Sequence, residues 1–265
     1  MGEQMEKLEI LVADDSSTIR KLIADAITQN YPSCIVYLVE DGYEAVQYLA
    51  KKEIDIAFID LNMPQASGLE VLGTLQIARA STFAICMSSG SSATSEKFMR
   101  QFGAYNFLKK PFGVADVCNA IESYRHIKSK KELLLVDDSA TVRTVVKKVT
   151  GKSIFNLSIS EAGSGEEAIN LMRSTKFDIL LTDFNMPIMN GLELISIATM
   201  QIPTIKSVLM TTTIEKATPE AERNGNVNFL LSKPFFAEDL DSIFHSIFDL
   251  PHPTFSKAIK PLVRS

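Results

Sequence analysis

Phe58-Ile59-Asp60-Leu61-Asn62-Met63-Pro64 returns later in the chain as Leu181-Thr182-Asp183-Phe184-Asn185-Met186-Pro187. Each copy closes an apolar run, 54–59 in the first and 177–181 in the second, that reads as a strand buried on both faces. The aspartate therefore stands where a strand leaves the core, with its carboxylate expected to be exposed at the strand's C-terminal edge. In an open α/β sheet ligands bind along that edge, because its loops can carry polar groups without disturbing the packed sheet. Pro64 and Pro187 hold back helix formation, and Gly68 and Gly191 follow at equal distances.

The two stretches are offset by 123 residues, and the same offset separates Asp14 from Asp137, Gly42 from Gly165, Gly68 from Gly191, Ser88 from Thr211 and Lys110 from Lys233. A period this long is a whole domain, since about 120 residues can bury a core of their own.

In the first copy, 8–13 reads as a strand ending at Asp14-Asp15. Ser16 or Ser17 is placed to cap a helix over 18–29, whose apolar residues Ile19, Leu22, Ile23 and Ala26 recur at helical spacing. Strands follow at 34–39, up to Asp60, at 83–87 and at 105–108, alternating with helices over 42–51, 68–78, 95–102 and 114–127. Strands and helices in this alternation predict a parallel sheet with helices on both faces. The second copy repeats the pattern over 133–248. The expected division is a first domain at 7–128, a second at 132–250 and a tail at 251–265. The join Lys128-Ser129-Lys130-Lys131 is too short for a free tether, so the last helix of copy one should run almost into the first strand of copy two. The tail carries Lys257, Lys260 and Arg264 without an acid. It reads either as a loosely docked end or as a partner-docking peptide anchored by Phe255, Ile259 and Leu262.

Of the 265 residues, 46% are hydrophobic and 22% charged, in the range of globular proteins. No apolar run approaches the ~20 residues of a membrane helix. The polar N-terminus lacks the apolar core of a signal peptide, which points to the cytoplasm. Cys34, Cys86 and Cys118 are scattered without a Cys-x-x-Cys, so reduced and mostly buried thiols are expected. A net charge of −5 without a basic run argues against nucleic-acid binding.

With five parallel strands, Asp14-Asp15, Asp60, the Ser88 hydroxyl and the Lys110 ammonium all fall at C-terminal strand ends. Three carboxylates brought together repel one another, and an oxygen-seeking divalent cation, Mg²⁺ by preference, would relieve them. Phosphoryl transfer asks little of a protein beyond positioning and charge neutralisation. Asp60 is then the nucleophile, Lys110 and the metal neutralise charge, and Ser88 bonds the acquired phosphoryl group. Each feature alone is commonplace as a turn, a cap or a loop boundary. Their joint order, occurring twice, is not.

Strand-Asp-Asp, strand-Asp-x-Asn-Met-Pro-x-x-x-Gly, strand-Ser/Thr and strand-Lys-Pro-Phe together resemble the receiver domain of two-component response regulators, over roughly residues 7–250. The resemblance implies two consecutive flavodoxin-like α/β domains, each a five-stranded parallel sheet in the order 2-1-3-4-5. It implies phosphorylation of Asp60 and Asp183 by a histidine kinase or histidine phosphotransfer protein. Asp15 with Asp60, and Asp138 with Asp183, would ligate Mg²⁺, helped by the carbonyls of Asn62 and Asn185. Asp14 and Asp137 would hold it through water. Ser88 and Thr211 would be the switch hydroxyls, and Lys110 and Lys233 the phosphoryl partners.

The family also implies a rotating aromatic three residues before the lysine. Phe107 matches. The second copy has Leu230 there and Phe229 one residue earlier, which should face the other way unless the strand slips by one. With no room seen for a further output domain, signalling by protein contact is expected, as in chemotaxis and motility systems. The alternatives are a phosphate sink, or a scaffold in which one receiver is phosphorylated and the other docks or dimerises. A turnover enzyme such as a Mg²⁺-dependent phosphatase would need an additional general acid, and His126, His245 and His252 lie away from both sites in sequence.

Overall fold

The buried strands decide the architecture. A computed structural model of the chain describes residues 7–78, 81–90, 92–253 and 262. It divides into two compact units, one ending at Arg125 and the next beginning at His126.

The first unit contains β1 (Glu9–Ala13), α1 (Ser17–Asn30), β2 (Ile35–Val39), α2 (Gly42–Lys51), β3 (Ile56–Asp60), α3 (Gly68–Ile77), β4 (Phe83–Ser88), α4 (Ala93–Gln101), β5 (Asn106–Lys109) and most of α5 (Val114–Lys128). The sheet order is β2-β1-β3-β4-β5 and every pairing is parallel. Side chains alternate across a strand, and the core divides accordingly. Leu11, Ala13, Ala57, Ile59, Ala84 and Cys86 pack with Val71, Leu72 and Leu75 of α3 on one face. On the other, Phe83 meets Tyr124 of α5 edge-on, with ring centroids 5.4 Å apart. β3 and β4 are buried along their whole length, hence their unbroken apolar sequences.

The second unit repeats the plan with β6 (Lys131–Val136), α6 (Ala140–Thr150), β7 (Leu157–Ala162), α7 (Gly165–Ser174), β8 (Ile179–Asp183), α8 (Gly191–Gln201), β9 (Lys206–Thr211), α9 (Ile214–Asn224), β10 (Phe229–Ser232) and α10 (Ala237–Ile247). Its parallel order β7-β6-β8-β9-β10 is that of the first sheet. Both are doubly wound α/β sheets of the flavodoxin-like kind. Only residues 129 and 130 separate α5 from β6. The division between compact units falls inside α5, whose last carbonyls, of Ile127 and Lys128, accept from the Asn156 amide and side chain at 3.0 Å.

Small departures from the sequence reading have local causes. Helix α4 starts two residues early because Ser92 caps it, accepting from the Ser95 amide at 3.1 Å while the Ser95 hydroxyl accepts from the Ser92 amide at 2.8 Å. Ser16 is the N-cap of α1, yet its hydroxyl makes no cap bond; its amide donates to Asp14 Oδ1 at 2.9 Å. The three cysteines are free thiols, and only Cys86 is fully buried, which pushes its thiol up to about 12. Of the expected tail anchors, Leu262 packs against the second unit's core and donates its amide to the Asn228 carbonyl at 2.9 Å. Phe255, Lys257, Ile259, Lys260 and Arg264 lie outside the described residues.

Candidate functional site

Strand ends bring the first set together. Asp14 follows β1, Asp60 closes β3, Ser88 closes β4, and Lys110 follows β5. Across the sheet edge the Leu61 amide donates to the Met87 carbonyl at 2.9 Å and the Lys110 amide to the Ser88 carbonyl at 2.8 Å. These bonds set the Asp60 carboxyl, the Ser88 hydroxyl and the Lys110 ammonium side by side. Lys110 Nζ lies 2.7 Å from Asp14 Oδ2 and 3.1 Å from Asp60 Oδ2.

Asp60 is 4% exposed, and Asp14 is fully buried. The expectation of an exposed acceptor carboxylate is corrected for Asp60, because the loop after β3 folds back over the strand end. In that loop the Gly68 amide donates to the Leu61 carbonyl at 3.2 Å, and a Cβ on Gly68 would collide with the Asp60 carbonyl oxygen. Gly191 stands in the same relation to the Asp183 carbonyl. A glycine at each of these positions is a packing requirement, since neither has a positive φ.

Electrostatics follow from the burial. Desolvation raises the Asp60 carboxyl above its ordinary range, against the opposing pull of the Lys110 hydrogen bond and charge. For Lys110, burial alone would lower the ammonium, yet its hydrogen bonds and ion pairs with Asp14 and Asp60 outweigh that and leave it raised. The raised Lys110 ammonium thus lies between the carboxyl groups of Asp14 and Asp60. Asp15 is exposed at the rim, and one oxygen each from Asp14, Asp15 and Asp60 lie within 4.8 Å of one another. Such a close set of hard oxygen donors fits Mg²⁺. Asn62 reaches the Ser88 hydroxyl with its side-chain amide at 3.4 Å, and that hydroxyl donates to the Gly90 carbonyl at 2.8 Å.

The second set assembles differently. Lys233 Nζ bonds Asp137 at 2.6 Å and Asp183 at 2.7 Å, so it holds both acids closely. Asp183 is more open, with 15% of its side chain exposed, and its other oxygen accepts from the Asn185 amide at 2.9 Å. Asp138 is exposed. Among the described residues only the first three carboxylates converge within the 4.8 Å reach; Asp137, Asp138 and Asp183 do not. Thr211 is buried and its hydroxyl accepts from the Thr213 amide at 3.0 Å.

At the edge strands, Leu230 pairs with Leu209 as Phe107 pairs with Cys86, both pairs separated by the repeat offset. There is no slip. Phe107 and Leu230 each pack against the core cluster of the α3 or α8 face, whereas Phe229 pairs with Val208 and is buried on the opposite face.

One pair of residues escaped the sequence reading. Arg20 Nη1 donates to the Asp14 carbonyl at 2.6 Å and the Asp15 carbonyl at 3.1 Å. Arg143 makes the matching bonds to Asp137 at 2.7 Å and Asp138 at 3.4 Å. Their common offset of 123 was the available signal.

Comparison with known proteins gives the family. The family described as "Response regulator receiver domain" matches residues 10–122 and again 133–245. The chain belongs to that family, as a tandem pair of receivers of the two-component signalling type. Protein PilG of Pseudomonas aeruginosa is 29% identical over 126 residues, 47% of this chain and 92% of PilG. Protein-glutamate methylesterase/protein-glutamine glutaminase 3 of Vibrio cholerae is 31% identical over 118 residues, 43% of this chain and 32% of that protein. The chain spans less than half of the curated methylesterase relatives it matches, reaching 49% in one from Carboxydothermus hydrogenoformans. The fold is shared with the crystal structure of a putative two-component system response regulator/GGDEF domain protein, at TM-score 0.62, 21% identity, and coverage of 92% of this chain and 98% of that one. No helix among the described residues is long and apolar enough to cross a membrane.

Proposed function

We propose that the chain is a cytoplasmic response regulator whose receivers take phosphoryl groups from a histidine kinase or histidine phosphotransfer protein and pass the signal on by protein contact. The observation that carries this is the buried Asp14–Lys110–Asp60 assembly at one sheet edge, repeated as Asp137–Lys233–Asp183. A carboxylate oxygen of Asp60 attacks the phosphorus of a phosphohistidine; the P–O bond forms, the P–N bond breaks, and the imidazole leaves with its electron pair. Lys110, already touching Asp60, pairs with the new phosphoryl oxygens, and the Ser88 hydroxyl turns from the Gly90 carbonyl to the same group. Asp14, Asp15 and Asp60, with the Asn62 carbonyl, are the residues that would hold Mg²⁺, which when bound neutralises charge on the transferring group. The proposal includes no turnover reaction: the methylesterase relatives match over 32% of the Vibrio protein's length.

A second reading makes the second unit a docking or dimerisation module with little acceptor chemistry. The looser acid set and the closely held Lys233 favour it. Intact mass after incubation with Mg²⁺ and a small phosphodonor or kinase separates the two, using wild type, Asp60→Ala and Asp183→Ala. Two phosphoryl groups, each lost with one substitution, support the tandem acceptor. One group, lost with Asp60→Ala alone, supports the scaffold, and none with any donor removes the phosphoacceptor reading.

A further inference from the structure

We infer that Arg20 is a positioning residue that sets the Asp14-Asp15 pair for cation binding, a role that rests on the reading of that pair under Proposed function, and that Arg143 is its counterpart at Asp137-Asp138. β1 ends at Ala13, and the two peptide units that follow carry the acids whose placement matters most. Their carbonyls converge on one guanidinium nitrogen, whose two N–H groups can serve both. The Asp14 carboxylate is fixed independently, by the Ser16 amide at 2.9 Å and Lys110 at 2.7 Å. Among the described residues the Asp15 carboxylate has no such anchor, so the grip on its own carbonyl is what orients it.

The repeat separates this contact from its surroundings. Arg20 also approaches Glu40 at 3.5 Å, and Arg143 approaches Glu161 at 3.7 Å. Those glutamates are not at the repeat offset, since position 163 is Gly and position 38 is Leu. The acidic partner has changed between copies while the carbonyl clamp has stayed. Outer contacts that orient ligands are commonly worth about 10–100-fold in metal affinity, and a small misplacement at such a site is costly.

The test is a Mn²⁺ titration of the full chain, with free Mn²⁺ followed by electron paramagnetic resonance. Asp138→Ala is present in every sample to silence the second site. Against that background Arg20→Ala should weaken Mn²⁺ binding about tenfold, Arg20→Lys should recover part of it, and Glu40→Gln should leave it within experimental error. Tyrosine fluorescence reports whether the first unit is folded. Should Arg20→Ala be unfolded, Arg20→Gln, which can serve one carbonyl, takes its place with a loss of affinity still expected. Folded arginine variants that bind Mn²⁺ like the parent overturn the inference and spare the cation reading. A parent that binds no Mn²⁺ removes both. An equal loss with Glu40→Gln would assign the effect to the ion pair and overturn the clamp.

Discussion

Replacing Lys110 by Ala removes the ammonium that, alone among the described residues, pairs with both Asp14 and Asp60, side chains that are 0% and 5% exposed, from a lysine that is itself 16% exposed. Breaking a buried pair by deleting one partner costs about 3–5 kcal/mol, because the remaining charge stays buried without compensation. The lower end applies here, since Asp60 is already raised by burial and can relieve itself by taking a proton. For a unit of about 120 residues the unfolding entropy is about 0.25 kcal/mol/K, so a loss of 3 kcal/mol lowers Tm by about 12 °C. The raised Lys110 stabilises the fold fully below its unfolded pKa and loses that effect only as pH rises through its higher folded value, so it is fully charged between pH 5 and 8. The deficit of the variant should therefore be largest at pH 8 and shrink toward pH 5 as Asp60 protonates. Saturating Mg²⁺ should return part of it. All six tyrosines lie between positions 31 and 124 and the chain has no tryptophan, so melting followed by tyrosine fluorescence reads the first unit alone. A Tm drop under about 3 °C, or one indifferent to pH, would refute the idea that Lys110 is the countercharge of this cluster.

Asp241 gives a prediction of opposite character. It accepts from the Ser153 hydroxyl and, at 3.4 Å, the Ile154 amide, and burial pushes its carboxyl up from 3.8 to about 6. Between those values the folded chain holds a proton that the unfolded chain releases, so stability falls as pH rises through this window. Asp241→Asn should gain on wild type by about 3 kcal/mol between pH 4 and pH 8. His245 and His252 are lowered by burial and change in the other sense, so the quantity to follow by calorimetry is the difference between the two proteins; a flat difference would remove the assignment. Gly68→Ala, which at an unconstrained helix position would stabilise by up to about 1 kcal/mol, should instead cost about 1–3 kcal/mol because the new methyl meets the Asp60 carbonyl. It should also reduce phosphoryl uptake at Asp60 while sparing Asp183. A tyrosine melt at or above the wild-type temperature would contradict it.

Most of the fold was readable because the signals were redundant. β3 and β4 announce themselves by unbroken apolarity, and a constant offset aligns Asp14, Asp60, Ser88 and Lys110 with their second copies. What stayed hidden depends on side-chain reach across the sheet. Lys110 and Asp14 are 96 residues apart, and no local pattern says that the second lysine would draw Asp137 and Asp183 closely to itself. The burial of Asp60 was missed because it comes from a loop folding back, not from the strand. Arg20 was passed over because an arginine in a first helical turn reads as a solvated charge until its partners, main-chain carbonyls with no sequence signature, are seen. The Asp241–Ser153 contact spans 88 residues and has no counterpart signal at all.

The edge strands carry one more lesson, which concerns parity. β5, Asn106-Phe107-Leu108-Lys109, and β10, Phe229-Leu230-Leu231-Ser232, are each four residues long and each contain one phenylalanine. A count of phenylalanines does not tell them apart. Yet Phe107 and Phe229 differ by one step along strands in identical register, which sends one ring toward the α3-side core and the other through the sheet to the opposite side. A reader that senses an aromatic at the even-numbered step finds it in the first unit and finds a leucine in the second. The duplicated domains therefore present different side chains at the same step of the same strand.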